Sequence, residues 1–118
     1  MDGFFFLFKY AIAGIKLAIL LDRNVKLHIL TGFVVIFLSY ILKISKFEFI
    51  FVLFSIFFVL ITEFINTAIE EMTNLIKKEH SREAMIAKDV AAAAVLLSAI
   101  FAIVVGFIIF SPYFLALI

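Results

Sequence analysis

The sequence predicts an all-α integral membrane protein, built from an N-terminal interfacial amphipathic helix and three transmembrane helices. Three observations carry that prediction. The 118 residues are 67% hydrophobic and only 16% charged, against about half and a quarter in an ordinary soluble domain. Mean hydropathy is +1.30, and so small a soluble domain buries only about two-thirds of its chain surface, so its exterior would be largely apolar. The charged residues are also confined to short segments that separate long uncharged runs.

The same composition narrows the function classes. Without cysteine there is no disulfide framework and no thiolate zinc site. A net charge of +1 gives no dense basic patch, so nucleic acid is not expected as a partner. The length suits one domain, 1–118, with room for about three spans.

Residues 3–21 are apolar but interrupted by Lys9 and Lys16. Asp2, Lys9, Lys16 and Arg23 recur at a seven-residue interval, which puts them on one stripe of a helix, with Phe, Ile, Leu and Ala around it. That pattern suits a helix lying in the membrane interface; a first span with two snorkelling lysines is the alternative. The first transmembrane helix is expected over 27–43. Leu27 to Leu42 carries no charge and rises about 24 Å as a helix, with Lys26 and Lys43 at its ends. Residues 43–48 read as a polar turn. The second span is expected over 48–70, charge-free from Phe49 to Thr62 and then helical in pattern through Glu63, Asn66 and Glu70. A polar segment over 71–89 follows. The third span is expected over 90–110, within an uncharged stretch that opens with alanines, which let helices approach closely in lipid. Pro112 sits where a helix can stop or bend cheaply.

Basic residues set the orientation. Lys9, Lys16, Arg23, Lys26, Lys77, Lys78, Arg82 and Lys88 fall on one side, Lys43 and Lys46 on the other. The N-terminus and the 71–89 segment are therefore expected in the cytoplasm.

Chemistry-bearing residues gather at that end. Glu63, Asn66 and Glu70 stand at i, i+3 and i+7, within an arc of about 60° on one helix, with Thr67 and Asn74 flanking. Carboxylates on an otherwise apolar helix are costly at a membrane boundary and need a cation, a metal or a wet cleft, unless they simply lie solvated among headgroups. Lys88 and Asp89 form a second polar pair, either a phosphate-seeking charge beside a helix start or a snorkelling lysine beside a cap. Asp22 is the only acid between Asp2 and Glu48. With Glu70 it could hold Mg²⁺, which takes one or two carboxylates plus substrate phosphates. Such a surface site suits phosphoryl transfer, although no Gly-rich phosphate loop is present. His28 and His80 are isolated, with no paired spacing for zinc.

The stretch EFINTAIEEMTNLI (63–76), followed by AKDVAAAAVL (87–96), resembles the prokaryotic diacylglycerol kinase family, which includes undecaprenol kinases. FKYAIAGIK (8–16) and DRNVKLH (22–28) resemble it at matching distances. The resemblance implies a membrane lipid kinase, a homotrimer in the bacterial inner membrane. Its sites would lie at subunit boundaries on the cytoplasmic face, using Mg-ATP to phosphorylate a lipid alcohol. It implies Glu63 as catalytic base with Asn66 beside it, Asp22 and Glu70 as metal-binding acids, and Tyr10, Asp22, Glu70, Glu79, Lys88 and Asp89 as ATP contacts. Undecaprenol, giving undecaprenyl phosphate, is slightly favoured over diacylglycerol, giving phosphatidic acid, because RNVKLH (23–28) looks more like the undecaprenol kinases. Three departures stand out: Asp22 where the family usually has Glu, Glu79-His80-Ser81 where it often reads E-Y-H, and Ala92 and Ala93 where many members have Ser or Gly. The competing class is a non-enzymatic small membrane assembly protein whose polar stripe packs helices.

Overall fold

A computed structural model describes residues 2–76 and 82–118. They form α1 (Asp2–Leu21), α2 (Arg23–Leu42), α3 (Lys46–Ile76) and α4 (Arg82–Leu117), with no strand among the described residues. By length and composition each helix could cross a membrane, α1 included. The all-helical, multi-pass membrane architecture expected from the composition is thus present.

The helices run past the uncharged stretches that mark them in the sequence. α2 starts at Arg23, α3 continues to Ile76, and α4 begins at Arg82 inside the polar segment. Charged residues need not end a helix when they can project beyond the hydrocarbon, and neither Gly nor Pro occurs in the charged extensions 23–26, 63–76 and 82–89. Pro112 lies inside α4, which continues to Leu117.

α1 and α2 are separated by one residue. Asp22 leaves the helical region (φ −116°, ψ 113°) and caps α2, its Oδ1 accepting from the backbone N–H of Asn24 at 2.8 Å. Among its described side chains α1 buries only Ala18, so it joins the rest at its C-terminal end and does not pack along the bundle.

The α2–α3 turn is defined by two caps. Lys43 adopts the left-handed conformation (φ 55°), and the N–H groups of Lys43 and Ile44 return to the carbonyls of Tyr40 and Ser39, a Schellman ending. Ser45 and Glu48 then form a reciprocal capping box at the start of α3. The Tyr113 hydroxyl of α4 donates to Glu48, tying the far end of α4 to this turn.

Packing follows helical stripes. α2 buries Val25, Gly32 and Ser39, seven residues apart. A Cβ at Gly32 would meet Ile56 Cγ2 at 3.0 Å, so the missing side chain lets α2 and α3 approach closely. α3 buries Val52, Ser55, Val59 and Glu63, three or four apart. α4 buries Ala91 and Ser98, with Ile109 and Phe110 at its far end. Val52, Ile109 and Phe110 form a core against Val35, Leu38 and Val105. Phe101 of α4 meets Phe54 and Phe58 of α3 edge-on, both at 5.9 Å between ring centroids. Thr62 and Ser98 place their hydroxyls 2.8 Å apart, and one donates across the α3–α4 seam. The burial stripe of α3 ends on Glu63, so the packing that builds the bundle carries a carboxyl group inward.

Candidate functional site

Glu63 is 1% exposed, the largest fully buried side chain among the described residues. An uncompensated buried carboxylate is among the most costly groups a fold can hold. Its Oε1 lies 3.5 Å from Nε2 of His28 on α2. Its Oε2 has no hydrogen-bond partner, and neither does Oδ1 of Asn66, one turn on. Asp22 and Glu70 are both near enough to act electrostatically on Glu63.

Around Glu63 the α3 stripe organises the rest. Asn66 Nδ2 donates to Glu70 Oε1 at 2.9 Å. Thr67, whose hydroxyl also lies 3.0 Å from the Glu63 carbonyl, donates to Asp22 Oδ2 at 2.5 Å. Asp22 thus uses one oxygen to cap α2 and the other to reach α3. Burial raises its pKa, but the Thr67 hydroxyl, Glu63 and the backbone amides of Asn24 and Val25 outweigh this and hold it below the ordinary carboxylate range. One turn beyond Glu70, Asn74 accepts from Lys88 Nζ at 2.6 Å, so α4 delivers an ammonium group to the same stripe.

The structure therefore gathers Glu63, Asn66, Glu70 and Asp22, with Lys88 joined through Asn74. Asp89 is exposed on α4 beside it. Tyr10 is two-thirds exposed and its ring stacks on Phe6 of its own helix, 6.4 Å between centroids. Glu79, with His80 and Ser81, lies outside the described residues. His28, isolated in the sequence, proves to be the close neighbour of Glu63. Its only sequence signal is position: on α2 it falls on the face that also carries Val25 and Gly32, three and four residues away.

No group of three or more His, Cys, Asp or Glu that could by itself hold a metal occurs among the described residues. The cluster offers hard oxygen donors in ones and twos. That is the donor set of a cation that keeps waters and substrate oxygens in its shell.

A multi-pass helical membrane protein with a buried, half-unpartnered glutamate among acids, an amide and a lysine at one end of the bundle has the form of a membrane-embedded enzyme. The sequence profile of the prokaryotic diacylglycerol kinase family matches residues 9–110. A protein of Synechocystis sp. named diacylglycerol kinase is 37% identical over 111 residues, 93% of this chain. A protein of Bacillus subtilis named undecaprenol kinase is 31% identical over 112 residues, 95% of this chain. The chain spans 63% of the length of the first relative and 91% of the second. The chain belongs to the prokaryotic diacylglycerol kinase family.

Proposed function

We propose that the protein transfers the γ-phosphoryl group of ATP to the primary hydroxyl of a lipid alcohol, in the bacterial cytoplasmic membrane and with its site facing the cytoplasm. The observation that carries this reading is Glu63, buried at the end of the bundle with Oε2 unpartnered. The lipid hydroxyl reaches the headgroup boundary laterally from the bilayer. Glu63 accepts its proton as the lipid oxygen attacks the γ-phosphorus and the bond to the bridging oxygen of ADP breaks. Asn66 holds Glu70 through its amide and presents its unpartnered carbonyl oxygen toward the reacting groups. Lys88 offsets phosphate charge, and Tyr10, Glu79 and Asp89 complete the nucleotide contacts. Asp22 and Glu70 are the residues that would hold Mg²⁺, which supplies charge neutralisation on the phosphate oxygens. The orphaned oxygens of Glu63 and Asn66 fit a site that gains a cation on nucleotide binding.

Undecaprenol is favoured as acceptor on the RNVKLH segment (23–28), with diacylglycerol as the second substrate class; the two relatives carry one name each. α1 lies in the interface, and the working unit is a homotrimer. The test is transfer of label from [γ-³²P]ATP to each lipid by the purified protein in mixed micelles. Label in undecaprenyl phosphate, and less in phosphatidic acid, is expected. Label in neither lipid removes the kinase reading and leaves an assembly protein.

A further inference from the structure

Two ties hold the first turns of α2 against α3. One is the hydrogen bond from Thr67 to Asp22; the other is the approach of His28 Nε2 to within 3.5 Å of Glu63 Oε1. The first explains itself as a capping carboxylate reaching a hydroxyl. The second sets an imidazole near only one oxygen of a buried carboxyl group; the other oxygen makes no hydrogen bond, although the Asp22 carboxyl group acts on the same glutamate. His28 also stands in the wall of a cavity of about 430 Å³ between α2, α3 and α4, which continues past Gly32 and Val59 to Gly106 and Phe110. The imidazole thus stands between a largely apolar cavity, which it helps to line, and the Glu63 carboxyl group 3.5 Å away.

We propose that His28 is a positioning residue. Its Nε2–H holds Oε1 of Glu63, so that Oε2 is the oxygen presented to the acceptor hydroxyl. This rests on the reading of Glu63 as the base and says which of its oxygens takes the proton. A carboxyl group free to rotate offers either oxygen in a spread of orientations, and proton transfer is sensitive to such looseness. A ring nitrogen on a neighbouring helix removes that freedom. The backbone that carries the ring is anchored nearby, because Asp22 at the cap of α2 accepts from Thr67, one turn from Glu63 on α3.

The test uses the full chain in mixed micelles with labelled ATP, comparing wild type, His28→Ala, His28→Gln, Glu63→Gln and the His28→Ala/Glu63→Gln double variant. Gln is chosen because its Nε2–H₂ can donate where the imidazole does. His28→Ala is expected to lower kcat at least tenfold while KM for nucleotide stays within twofold. His28→Gln should return kcat to within threefold of wild type. The double variant should be no slower than Glu63→Gln, since a group acting only through Glu63 has nothing left to position. The proposal is overturned if His28→Ala keeps kcat within threefold, if Gln is as slow as Ala, or if the two losses multiply. Should His28→Ala not elute as folded protein, His28→Leu, which refills the cavity wall without a donor, replaces it against His28→Gln. Wild-type protein that labels neither lipid overturns the kinase reading itself, an outcome separate from all of these.

Discussion

At the level of single residues, the site divides by how its members are held. Glu63→Gln keeps shape and removes a base, so turnover should fall about 10²–10⁴-fold, the usual contribution of general-base catalysis. Mg-ATP binding should be largely kept, and steady-state kinetics with direct nucleotide binding check both. Asp22→Asn and Glu70→Gln should instead raise KM for Mg-ATP and shift its dependence on Mg²⁺ concentration. Thr67→Val should reproduce the Asp22 effect in weaker form, because it releases the oxygen that Thr67 holds; titrating Mg²⁺ at fixed ATP separates the three variants. Glu63, Asn66 and Glu70 were legible in the sequence because one helix spaces them and helical geometry is known in advance. His28 and the Thr67–Asp22 tie were not. Both are contacts between helices whose relative rotation depends on Gly32 packing against Ile56, which no spacing within one helix encodes.

At the level of elements, the uncharged stretches announced the helices but not their ends. The α2–α3 turn was visible as a cluster of polar residues, whereas its Schellman ending and capping box required knowing where each helix stops. Removing the box tests its weight. Ser45→Ala should cost about 1 kcal/mol of stability, read as a lower midpoint in thermal or denaturant unfolding in detergent. Specific activity at low temperature should be unchanged, since Ser45 and Glu48 sit at the opposite end of the bundle from Glu63. The sequence marks α1 by a stripe of charges at seven-residue intervals, and its placement in the interface is a proposal. Its docking through Ala18 alone shows that its seven-residue stripe does not face the other helices of the same chain.

For the whole molecule, the proposed orientation, with the end bearing Glu63 in the cytoplasm, rests on basic residues that favour that end eight to two. Single cysteines can be placed cleanly because the chain has none. A cysteine at Leu75, which is 86% exposed, should react with a membrane-impermeant maleimide only when the cytoplasmic face is opened. One at Ser45 should react from outside. The reverse pattern would cut the site off from cytosolic ATP. The turn that holds Ser45 has a further consequence. Glu48 and Tyr113 fasten α3 and α4 together at the α2–α3 turn, and from Lys46 the rise along α3 to Glu63 is about 26 Å. A hydrocarbon core is about 30 Å thick, and no hinge residue interrupts α3 on the way. α3 therefore acts as a gauge rod: the depth of the carboxyl group depends on the thickness of the host bilayer. In vesicles of progressively longer acyl chains, activity should pass through a maximum. Thin membranes would lift Glu63 into water, and thick ones would draw it below the level that ATP can reach.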